Sequence, residues 1–134
     1  MSVNKINYKG VDYEIIEDSG WINAELTSSF VQNSNSWATK PVYRKVGNMV
    51  EIQGTISPAS NISDTASETT IFTLPEGFRP NQTLWIHQQA DNMNVWTMIV
   101  RPNGIVSLSR YGITSKGAMS TSGIAFMQVT FLTD

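Results

Sequence analysis

Cysteine is absent from the chain, so it has neither a disulfide framework nor a thiolate metal site, and redox chemistry says nothing about its compartment. Charge is scarce as well: charged residues make up 15% of the 134, and the formal net charge is -2. A nucleic-acid surface needs clustered Lys and Arg, so no nucleic-acid partner is expected. No apolar run approaches the roughly 20 residues of a membrane span, and no membrane insertion is expected. The N-terminus lacks the basic start and apolar core of a secretory signal, so delivery outside a cell would take another route. No window carries helical apolar periodicity with caps, and no repeat of fixed period is present. Histidine occurs once, at His87.

What remains is rich in Asn, Ser, Thr and Gln spread along the whole chain. Such a surface exchanges hydrogen bonds without a long-range field and suits neutral polyhydroxylated ligands. At this length a single domain can bury its own core. Its pivot is Phe72-Thr73-Leu74-Pro75-Glu76-Gly77-Phe78-Arg79-Pro80, a strand end followed by a rigid corner. Pro75 suits the first central position of a turn, Gly77 supports its exit, and Pro80 keeps Arg79 extended. The corner is expected to pass the chain from one sheet to the next, with Leu74 and Phe78 as buried anchors. Strands before it would form one group and strands after it another.

Residues 1–19 read as a charged lead-in or linker with one or two short strands around Gly10, and 20–134 as the domain proper. Ile22, Ala24 and Leu26 alternate with Trp21, Asn23 and Glu25, the pattern of a half-buried strand. Phe30 to Pro41 is turn-rich, and Trp37 within it reads as a lid on the core. Val42–Val46 and Met49–Ile56 flank Gly47-Asn48, a strong hairpin signal, with Val50, Ile52 and Ile56 inward and Glu51 and Gln53 outward. Ser57 to Thr70 reads as an exposed, mobile loop. In the second half, Leu84, Ile86 and Ala90 share one face while Trp85, His87 and Gln89 share the other. A second hairpin closes at Arg101-Pro102-Asn103-Gly104. Arg110 to Gly123 is a looser excursion. Ile124 to Leu132 is apolar on both faces, as in a central strand or one packed on a neighbouring subunit. About eight strands at intervals of roughly ten residues predict an all-β fold, an antiparallel β-sandwich or jelly-roll-like barrel.

The chemical inventory is thin for catalysis. No G-x-S-x-G elbow presents a serine, no carboxylate pair sits in a distinctive setting, and there is no phosphate-cradling glycine loop, so no catalytic residue, metal site or cofactor is assigned. Binding has more to draw on. Trp85 or Trp96, with His87, Gln89, Asp91, Asn92, Arg110 and Tyr111, combine flat ring faces with planar donors and acceptors. Sugars need that mixture, since a ring face stacks on Trp or Tyr while hydroxyls pair with carboxylate, amide, imidazole and guanidinium. These residues form the candidate saccharide-binding set, His87, Gln89, Asp91, Arg110 and Tyr111 among them, with the ring open between Trp85 and Trp96.

Gly20-Trp21, Tyr43 to Gly54, Leu74 to Pro80 and Trp96 to Gly104, taken in order, resemble the C-terminal head domains of tail-tip proteins from phages of Gram-positive bacteria. That resemblance spans residues 20–134 and implies a β-sandwich or barrel head that forms homotrimers on a tail tip or baseplate. It implies binding of a host cell-wall polysaccharide without cleavage, other tail or baseplate proteins as partners, and a virion location. In the lactococcal branch the saccharide site uses a His, an acidic residue, a Trp and an Arg, which by order of type fall on His87, Asp91, Trp96 and Arg110. Such proteins carry a shoulder and interlaced neck where this sequence has only its short lead-in, as in an excised head or a small accessory baseplate protein. The alternatives are a structural tail protein with no sugar site and a polysaccharide hydrolase.

Overall fold

Most runs in which apolar and polar residues alternate between Gly, Pro or Asn turns pair as strands. A computed structural model describes residues 3–113 and 117–133, and among these the chain forms eleven strands and no helix. They are β1 (Val3–Tyr8), β2 (Val11–Ile16), β3 (Ile22–Asn23), β4 (Phe30–Gln32), β5 (Val42–Val46), β6 (Met49–Pro58), β7 (Thr69–Thr73), β8 (Leu84–Gln89), β9 (Val95–Val100), β10 (Ile105–Ser109) and β11 (Ala125–Leu132). All pairings are antiparallel. One sheet runs β11-β6-β5-β3, with β4 beside the far end of β6, and the other runs β7-β10-β9-β8.

Between the sheets lies one core. It takes Val50, Ile52 and Ile56 from β6, Ile71 and Phe72 from β7, and Trp96, Met98 and Val100 from β9. Val106 and Leu108 of β10 and Met127 and Phe131 of β11 close it. The sandwich is sealed along one side, where Ala90 bridges Ala125 and the Gln88 amide donates to the Gln128 carbonyl at 2.9 Å. Gln88 is buried, and this bond satisfies a polar group that would otherwise be costly there.

Both expected hairpins form. Val46 faces Met49 across Gly47-Asn48, and Gly47 alone of that pair takes a positive φ, 61°. At the second, the Gly104 N–H donates to the Arg101 carbonyl at 2.8 Å, with Gly104 at φ 90°. The alternation over 21–26 is kept as burial, but only Ile22 and Asn23 pair. Near the N-terminus, β1 and β2 pair only with each other around Lys9-Gly10. Ile6 faces Tyr13 and Tyr8 faces Val11 on one side of that ribbon, and all four are more than half exposed. Lys5 faces Glu14 and Asn7 faces Asp12 on the other.

Several expectations are corrected. The corner turn closes from the Phe78 N–H to the Pro75 carbonyl, which puts Pro75 ahead of the central pair, Glu76 and Gly77. Gly77, at φ 88°, supplies the turn conformation. Nor does the corner change sheets: β7 and β8 are opposite edges of the same sheet, and with β9 and β10 they make a Greek key. The chain crosses between sheets in the stretches after β6 and after β10. Leu74 is fully buried as an anchor, whereas Phe78 is half-buried and meets Tyr43 edge-on at 5.4 Å.

Residues 59–68 are exposed as expected except at Ile62 and Thr65, which fasten the loop to the sandwich. Thr65 is fully buried; its hydroxyl donates to the Gly117 carbonyl at 2.7 Å and accepts the Tyr111 N–H at 2.9 Å, while Ile62 bridges Met119. β11 lies at the end of its sheet and buries one face, leaving Gln128, Thr130 and Leu132 exposed. Trp37 is mostly exposed and packs against Phe126, 5.9 Å away, on the outer side of that strand.

Candidate functional site

β8 is the edge of its sheet, and its alternation sends Trp85, His87 and Gln89 outward, opposite Ile99, Thr97 and Val95 of β9. Trp85 is 55% exposed. Two guanidinium groups approach its ring, Arg101 at 5.8 Å and Arg110 at 5.2 Å from the centroid. Each contact is worth about 0.5–1 kcal/mol at an exposed site, enough to hold the indole in place. Arg101 is itself held by Glu68, with Nη2 to Oε2 at 2.7 Å and Nε to Oε1 at 3.3 Å. Arg110 makes no ion pair among the described residues. Its backbone sits at φ 54°, an uncommon value for a side chain of this size, and its N–H donates to the Thr65 carbonyl. The pinned loop thus sets the place from which Arg110 reaches Trp85.

Of the residues singled out in the sequence, His87 and Gln89 share this outward face and Arg110 reaches it. Asp91 and Tyr111 are engaged with each other. The Tyr111 hydroxyl donates to Asp91 Oδ1 at 2.6 Å and accepts from Asn94 Nδ2 at 3.1 Å, while the Ile124 N–H donates to the same Asp91 oxygen at 3.1 Å. This lock joins the β8–β9 turn to the segments after β10 and before β11. Trp96 is the clear correction. It is fully buried, and its indole N–H donates to the Gln89 carbonyl at 3.0 Å, so no face of its ring can stack on a ligand. Trp85, weighed beside it in the sequence, is the ring at the surface. Arg101 and Glu68 were missed because one reads as a turn residue and the other as a loop carboxylate. Nothing local marked Thr65 among so many Ser and Thr.

Burial first, then the hydrogen bond to Asp91, pushes the Tyr111 phenol up to about 12 from an ordinary 10.0. The folded chain keeps this proton where the unfolded chain loses it, so the stability contribution is whole below about pH 10 and falls as pH rises towards 12. In an ultraviolet titration of phenolate, Tyr111→Phe should delete a step near pH 12. An unchanged curve would remove Tyr111 from that assignment.

Two clefts lie away from Trp85, one of about 440 Å³ between Glu17, Lys45 and Phe78 and one of about 330 Å³ between Glu25, Tyr43 and Arg79. None of the sequence-selected residues lines either. Among the described residues, no group of three or more His, Asp or Glu is placed to hold a metal ion, and His87 makes no hydrogen bond to another side chain. The chain matches no protein-family model and no curated protein.

Proposed function

We propose that this chain is a non-catalytic, saccharide-recognising head of a phage tail or baseplate protein, acting as a homotrimer at the virion's tail tip. The observation that carries the reading is Trp85, an exposed indole with Arg101 and Arg110 within cation–π range and His87 and Gln89 further along the same strand face. An apolar sugar face stacks on the ring while hydroxyls exchange hydrogen bonds with guanidinium, imidazole and amide. Such an exposed site binds weakly alone and gains strength from several linked copies. The apolar side of the β1–β2 ribbon supports assembly, because a two-stranded hairpin with one uncovered apolar face is only marginally stable by itself in water.

The test is binding of purified protein to whole Gram-positive cells and to their extracted polysaccharide, with the mass measured by light scattering. Saturable binding at the mass of three chains, without release of reducing ends, is the expected result. Trp85→Ala should weaken it about tenfold or more and change unfolding stability by less than about 1 kcal/mol, since the ring is at the surface. Release of reducing ends would replace recognition with hydrolysis. A monomer that ignores every cell and glycan would leave a structural tail component.

A further inference from the structure

Two ion pairs form among the described residues on the outer surface of the sandwich. Arg44 pairs with Asp18, and Arg101 with Glu68. Glu25 and Arg79 are different. Both line the cleft of about 330 Å³, one from the segment after edge strand β3 and one from the corner after β7, yet they form no salt bridge with each other or with any described residue.

Arg79 is not a loose surface side chain. It is half-buried, and its Nε donates to the Leu74 carbonyl at 2.9 Å, which anchors one edge of the guanidinium and leaves its terminal nitrogens for another acceptor. Leu74 is fully buried, and its N–H in turn donates to the Gly104 carbonyl at 2.8 Å, so the anchor is tied to the β9–β10 turn. Tyr43 is held between Phe72, stacked at 5.9 Å, and Phe78, edge-on at 5.4 Å. Ile22 and Leu74 add apolar wall, and Asn23 adds an amide.

The volume is at the small end of the range for ligand clefts, about 300–1,000 Å³. A simple anion would meet Arg79 but be repelled by Glu25; a simple cation would meet the reverse; a neutral polyol would leave both charges uncompensated. We propose that this cleft binds a small zwitterion of the α-amino acid class, its carboxylate on Arg79, its ammonium on Glu25, and a short apolar side chain against Ile22 and Tyr43. The site is separate from the Trp85 face and stands or falls independently of it.

Amide-resolved NMR titration of the full chain with L-alanine tests the assignment, using N-acetyl-L-alanine, L-alanine methyl ester and glucose as controls. The acetyl compound lacks the cation and the ester lacks the anion. Alanine should give saturable shifts at Asn23, Glu25, Tyr43 and Arg79, with each control about tenfold weaker or worse. Glu25→Gln, a change at an exposed position, should abolish the preference for alanine over its acetyl derivative while leaving the spectrum folded. Trp85→Ala should not alter alanine binding. Absence of saturable shifts with alanine, equal response to alanine and a control, preference for glucose, or an unchanged preference in Glu25→Gln would each overturn the proposal.

Discussion

Trp96→Ala is expected to lower unfolding stability by about 3–5 kcal/mol, among the largest losses available to a single side chain here. The ring is fully buried on the inward face of β9 with Met98 and Val100, and the core around it draws on both sheets. Truncation opens a cavity that a sandwich cannot collapse, because the backbones on either side are held by their ladders. It also removes the donor to the Gln89 carbonyl, at the end of β8 where that strand gives way to the Ala90–Ala125 seal. Equilibrium denaturation should show a lower midpoint with little change in slope. Loss of polysaccharide binding in this variant would follow from unfolding. A folded, stable Trp96→Ala protein that had lost binding alone would return Trp96 to the surface and overturn its place in the core.

Gly54→Ala should cost about 3 kcal/mol or more, although it adds only one methyl group. Gly54 lies within β6, opposite Met127 of β11, at φ 154°. A Cβ there would stand 2.5 Å from the Pro41 Cα, 3.0 Å from the Pro41 nitrogen and 3.1 Å from the Met127 Cε. Met127 can swing away, but Pro41 is backbone. The neighbouring segment is tied to β6 by the Thr55 N–H to the Thr39 carbonyl at 2.8 Å, so relief requires that bond to shift. The measurement is the same denaturation curve, with Gly77→Ala as a comparison at a positive-φ position whose Cβ would meet nothing within 4 Å. Equal losses at both sites would mean that φ alone matters, and that the contact with Pro41 does not.

The contrast between Trp85 and Trp96 shows how far residue order reaches. Parity already separated them: Trp85 shares a face with His87 and Gln89, and Trp96 with Met98 and Val100. Reading Trp96 as a platform weighed ring chemistry above that alternation, and the core won because a large ring in register with apolar neighbours faces the same way they do. Glu68 and Arg101, 33 residues apart, have no local signature of their pairing. Their meeting depends on β7 lying beside β10. The cleft between Glu25 and Arg79 depends likewise on how the corner settles against β3 and β5.

By itself, the sequence determined the all-β class, both tight hairpins and which face of β8 looks outward, because turn chemistry and side-chain alternation act within a few residues. Sheet membership was decided only in three dimensions. The corner at Pro75 was expected to change sheets, yet the crossings occur after β6 and after β10, where the intervening segments are fastened by Thr65, Met119 and the Asp91–Tyr111 lock. Those contacts join residues tens of positions apart, so their energy exists only once the sandwich has closed. The same closure sets Arg110 beside Trp85.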